Sequence, residues 1–236
     1  MKKILKILGK FILGIALTIV LLFAVLYFMY NEPLPKGKEG TEADAMATKM
    51  LTALNHEAYK NTRYLSWTFR GAHHYVWDKD QYQVLISWDD IKVDLNLKTP
   101  NTSTVTVNGN KITNNDQSHY IEKALSYFNN DSFWLVAPYK VFDEGATRSI
   151  ASNKAGEKGL LVTYSSGGTT PGDSYLWFLD ENGRPEGYQM WVDILPIGGL
   201  YASWDHWQTM KNGIPLASLH TLLFLDIHVD NIKAWN

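Results

Sequence analysis

The chain has 236 residues, with 22 basic, 24 acidic and no cysteine residues and a net charge of −2. The missing thiol excludes disulfides, thiolate metal sites, a cysteine nucleophile and a lipid carried on an N-terminal cysteine. Without the four lysines of the first ten residues, the remainder has 18 basic and 24 acidic residues, a charge of −6. That part has no use for nucleic acid or an anionic surface as partner, because each requires a clustered positive face.

Lys2, Lys3, Lys6 and Lys10 precede 20 uncharged residues, Phe11–Tyr30. At about 1.5 Å per helical residue these reach about 30 Å, the thickness of a bilayer's hydrocarbon core. The run exceeds a signal-peptide core of about 7–15 residues, and Met29-Tyr30-Asn31-Glu32-Pro33 offers no small-x-small cleavage site. Residues 1–30 are therefore expected to form a basic start and a retained anchor, the bilayer being the partner of residues 11–30. By the positive-inside rule the N-terminus lies in the cytoplasm and the remainder is extracytoplasmic.

Residues 31–40, with Pro33, Pro35, Gly37 and Gly40, read as a linker reaching at most about 35 Å. Residues 41–236 read as one β-rich domain. Thr41-Glu42-Ala43-Asp44 resembles a helix-start box, and Met46, Met50 and Leu54 continue a helical stripe to about Tyr59. From Tyr64 the period becomes two, with strands expected at 64–70, 72–77, 82–88 and 91–97, then 102–107 leading into the Asn108-Gly109 hairpin signal. Ile121, Ala124, Leu125 and Phe128 predict a helix after Asp116 and Ser118. Asp131 is expected to cap a second short helix over 132–137, ending before Pro138. Strands are then predicted at 160–164, 174–179, 188–194, 200–208 and 216–229.

Few motifs carry chemistry. His73 and His74 are adjacent in a strand and leave opposite faces. Asp226 and His228 share a face but lack a third ligand, so no metal is expected. Tyr164-Ser165-Ser166-Gly167-Gly168 lacks the nucleophile elbow and the phosphate loop, and Asp180-Glu181-Asn182-Gly183 is only a fragment of a calcium loop. Asp89, Asp90, Asp143 and Glu144 leave a carboxylate pair for glycan hydrolysis as an alternative. No cofactor and no catalytic residue is expected.

The outer domain holds most of the nine tryptophans, thirteen tyrosines and nine phenylalanines, and some segments, such as Ser174–Leu179, are apolar on both faces. Strands of that kind need covering twice. A curved sheet whose concave face holds an apolar cavity under helices meets the need, with Trp67, Phe69, Trp77, Trp88, Phe133, Trp134, Trp177, Trp191 and Trp204 as candidate lining.

The order of anchor, helix, meander, helical interruption and second meander resembles the lipoprotein-carrier-like superfamily of outer-membrane lipoprotein localisation. Ser132-Phe133-Trp134-Leu135-Val136-Ala137-Pro138-Tyr139, Tyr164-Ser165-Ser166-Gly167-Gly168 and Ser174-Tyr175-Leu176-Trp177-Phe178 look like stretches of uncharacterised envelope proteins related to it. The resemblance covers most of residues 41–236. It implies an α+β fold, a curved antiparallel half-barrel with covering helices, facing the periplasm from the inner membrane and taking a lipid or acyl chain without catalysis. Neither Arg63 nor Arg70 matches the carrier's functional arginine. A short tether also suits a module that holds, senses or hands over lipid beside its own membrane better than a shuttle. The alternative is a structural or interaction domain with an envelope protein as partner.

Overall fold

The computed structural model describes residues 2–113, 116–168 and 170–236, with the side chains of Lys2, Lys3 and Leu5 outside the described set. Helix α1 runs Lys2–Tyr30. Its Lys6–Tyr30 stretch is long and apolar enough to cross a membrane, and the most apolar part of that stretch buries none of its surface against the rest of the chain.

The linker is laid along the domain instead of hanging free. Glu32 donates its N–H to the Gly198 carbonyl at 2.9 Å, Gly198 donates to Asn31 Oδ1 at 2.9 Å, and the Trp191 indole donates to the Glu32 carbonyl at 2.8 Å. Gly37 lies so close to Ser149 that a Cβ there would sit 1.9 Å from the hydroxyl. Strand β1, Lys38–Glu39, then pairs antiparallel with β8, Ala146–Ser152.

The helix expected over 41–59 is two: α2, Thr41–Ala53, and α3, His56–Asn61. Asn55 breaks it in the left-handed region at φ 48, which asparagine tolerates, and its amide donates to the Gly213 carbonyl at 3.0 Å. Gly40, not Thr41, occupies the N-cap position. Glu42 and Asp44 in the first turn reach Lys158 and Arg148, the latter at 2.7 Å, tying α2 to the sheet.

Strands β2, Tyr64–Phe69, β3, His73–Asp78, β4, Gln83–Trp88, and β5, Ile91–Asn96, follow the expected meander, with β6, Thr104–Val107, and β7, Asn110–Ile112, flanking Asn108-Gly109. The two helices expected on either side of Asp131 are one, α4, Asp116–Val136. Donors from β3 satisfy the Asp131 carboxylate, so it has no need to cap, and the helix ends instead at a 3-10 turn, Ala137–Tyr139, built on Pro138.

Strand β8 was not anticipated, since Ala-Thr-Arg-Ser-Ile-Ala-Ser shows too little apolar alternation to read as a strand. Then come β9, Lys158–Tyr164, β10, Ser174–Leu179, and β11, Pro185–Trp191. The single strand expected over 200–208 is divided at Trp204 into β12, Leu200–Ser203, and β13, Asp205–Thr209. The one expected over 216–229 is a hairpin, β14, Pro215–Leu222, and β15, Leu225–Trp235, turning on Leu223-Phe224.

The strands form an open antiparallel sheet in the order β1-β8-β9-β10-β11-β12-β14-β15-β2-β3-β4-β5-β6-β7, with β13 on a further stretch of β14. Pairing of β15 with β2 joins the two meanders, Val229 opposite Phe69. One face is covered by α2 and α4 and carries the main core, from Leu65, Val84, Ile86, Val93 and Leu95 through to Leu160, Val162 and Ala202. At roughly 1.5–3 kcal/mol per fully buried large apolar side chain, this face supplies most of the driving force. The doubly apolar strands are covered twice, as their pattern requires: Ala151, Leu161, Leu176 and Phe178 form a second small core on the opposite face.

Candidate functional site

The covered face under α4 is where the sequence-predicted lining gathers. Trp67 and Tyr75, directly opposite on β2 and β3, stack at 4.5 Å, and Phe128 of α4 lies 6.3 Å from Trp67 and 5.2 Å from Trp77. Phe69 is buried in the same core, and Trp88 meets Tyr127 of α4 edge-on at 5.4 Å. Towards the other meander, Phe133 packs on Tyr175 at 4.6 Å and Trp134 on Tyr188 at 5.9 Å. Trp177 lies 5.2 Å from Trp204, which in turn lies 4.4 Å from His220. Eight of the nine candidates thus share one core. Trp191 does not: it packs on the opposite face with the second core and holds the linker through its indole. Its position at the end of β11 puts it out of phase with Met190 and Tyr188.

These rings fill the face by touching each other, yet they leave donors behind. The indole N–H groups of Trp67, Trp77, Trp88, Trp177 and Trp204 are buried without a hydrogen-bond partner in the chain. A buried donor left unmade costs about 1–3 kcal/mol, so a polar group reaching this face would be stabilised there.

A polar cluster that sequence reasoning missed lies between β3 and α4. Asp131, 2 % exposed, accepts from His73 Nδ1 at 2.7 Å and from the Tyr75 hydroxyl at 2.6 Å on one oxygen, and from the Asn130 amide at 2.8 Å on the other. Its carboxylate draws a proton of His73 to Nδ1 and so sets the orientation of the ring. Burial first, and then the Asp131 charge, hold the Tyr75 hydroxyl far above its ordinary range, so it remains a donor. His73 also stacks on Tyr127 at 4.0 Å and is 19 % exposed, placing one polar, partly accessible ring at the rim of the aromatic face. The only sequence signal was the alternation that turned His73 inward and His74 outward; a partner 58 residues away leaves no local trace.

On the outer face, Asp226, His228 and Asp230 project from alternate positions of β15 and, with Arg70 and Gly71, line an open depression of about 370 Å³. Asp226 accepts from the Thr221 hydroxyl at 2.9 Å. Among the described residues no three His, Asp or Glu side chains come together in a metal-binding arrangement. Asp89 and Asp90 occupy an exposed turn between β4 and β5, and Asp143 pairs with Lys140 beside exposed Glu144, so both candidate carboxylate pairs follow turn chemistry. Compared with known proteins, the chain matches no protein-family model and no curated protein.

Proposed function

We propose that the chain is a membrane-anchored, non-catalytic module whose outer domain takes an apolar or amphiphilic guest, such as a lipid acyl chain, on the covered face beneath α4. The observation that carries this reading is the continuous aromatic face beneath α4, on which Trp67, Trp77, Trp88, Trp177 and Trp204 offer ring surface to a hydrocarbon chain. His73, held by Asp131, would receive the polar end at the rim. Because the rings pack closely, entry requires α4 to shift, which makes it a cover over the face. A half-barrel of the lipoprotein-carrier kind, facing the periplasm from the bacterial inner membrane with the N-terminus in the cytoplasm, is the architecture that fits this role.

The test is native mass spectrometry of the detergent-free outer domain, residues 31–236, before and after addition of oleate. The expected result is a mass increment of one guest. A domain that carries no lipid and takes up no oleate overturns the reading. It would favour an interaction domain of an envelope complex instead.

A further inference from the structure

The hairpin between β14 and β15 turns in two residues, because Leu222 pairs with Leu225. Tight hairpins of this kind favour Gly, Asn or Asp, which accept positive φ. Here the turn is Leu223-Phe224, with Leu223 at φ 57, a conformation that crowds the Cβ of an ordinary L-residue. The same two residues are exposed, Phe224 at 84 % and Leu223 at 47 %, with Leu225 at 51 % beside them. Folding gains nothing from either property. A strained backbone and a solvated phenylalanine at one tip point to a surface that is covered when the protein is at work.

The register says what covers it. Ala202 of β12 pairs with Leu222, so the tip lies level with Leu200 at the start of that strand. The two residues before Leu200 are Gly198 and Gly199, against which Glu32 is clamped at the end of α1. At a strand spacing of about 4.8 Å and a rise of about 3.3 Å per residue, the tip stands within about 10–15 Å of the point where α1 ends. Ile194, 67 % exposed, and Leu34, also exposed, belong to the two segments that meet at that clamp.

We propose that Leu223, Phe224 and Leu225, together with Ile194, form a second membrane contact, entering the headgroup–acyl boundary of the same leaflet from which α1 emerges. The inference rests on α1 spanning that bilayer, the reading given above. Aromatic and aliphatic side chains are favoured at such a boundary. The contact would add a second point of attachment to the clamp at Gly198 and so fix the tilt of the domain on the membrane.

The chain has no cysteine, so single cysteines can be introduced and labelled with an environment-sensitive nitrobenzoxadiazole dye in the full-length protein reconstituted into phosphatidylcholine vesicles. Three sites are compared: Phe224→Cys at the tip, Leu21→Cys within α1, and Asn182→Cys in the turn at the opposite end of the sheet. The expected result is that brominated phosphatidylcholine quenches the labels at 224 and 21 at least twofold more than the label at 182. A label at 224 as unquenched as that at 182, with 21 quenched, overturns the second contact and leaves the anchor intact. All three labels unquenched overturns the anchor and the contact together.

Discussion

Two of the hairpins that turn in two residues are built on opposite principles. At the β6–β7 turn, Asn108 and Gly109 adopt φ 50 and φ 79, the pair that a right-twisted hairpin prefers. At the β14–β15 turn only the first residue, Leu223, takes positive φ, at 57, and it is a residue that resists it. The first hairpin is specified by its tip. The second is specified by what lies beneath it: His220, Ile227 and Val229 are buried, and Trp204 packs on His220 from β12's end. A turn can therefore be imposed from the core outward, and its tip is then free to serve another purpose.

That contrast can be broken at four points. Trp204→Ala removes the ring on which the second hairpin rests and should cost about 4 kcal/mol, read from the denaturant midpoint of the outer domain. Acid should loosen the same region next. Burial pushes the His220 imidazole down to about 4, against about 6.5 in the unfolded chain. Between those values the unfolded chain takes up a proton that the folded one refuses. Stability is thus full above pH 6.5 and falls by about 3 kcal/mol as pH drops to about 4. Denaturant titrations across that range should show the slope, and His220→Gln should flatten it.

Transplanting the second turn onto the first, Asn108→Leu with Gly109→Phe, should cost about 2 kcal/mol, since β7 brings only half-buried Ile112 to the core and so holds a strained tip weakly. An equal melting temperature would mean that turn chemistry does not set this hairpin. The smallest effect has the opposite sign: Leu223→Gly should raise stability by about 1 kcal/mol in chemical denaturation by relieving the positive φ. A loss there would show that Leu223 packs usefully and that the tip is not strained.

The same pair of turns explains how much of the fold was legible. Asn108-Gly109 announces itself in the sequence, and the first meander was read nearly strand by strand. Leu223-Phe224 sits inside unbroken apolar alternation, so β14 and β15 read as one strand; only the burial of His220 opposite Ile227 reveals the fold-back. Helix α4 departs from its local pattern for the converse reason. Asp131 looks like a cap in any local window, and the donors that make it an interior residue come from β3. The aromatic face was legible as a set because strand alternation places tryptophans in phase. Trp191, one position out of phase with Met190, went to the other side.

The close seating of Gly37 on Ser149 bears on how the protein meets its surroundings. A freely jointed leash would let the domain sweep a volume. With α1 embedded, a strap pressed against β8 and a clamp at Gly198 leave only motion in the plane of the sheet of lipid. For a domain anchored by α1 as proposed, encounters become a two-dimensional search among molecules that share its bilayer or touch down upon it. Gly37→Val, which cannot fit beside Ser149, would lengthen the leash and restore the third dimension.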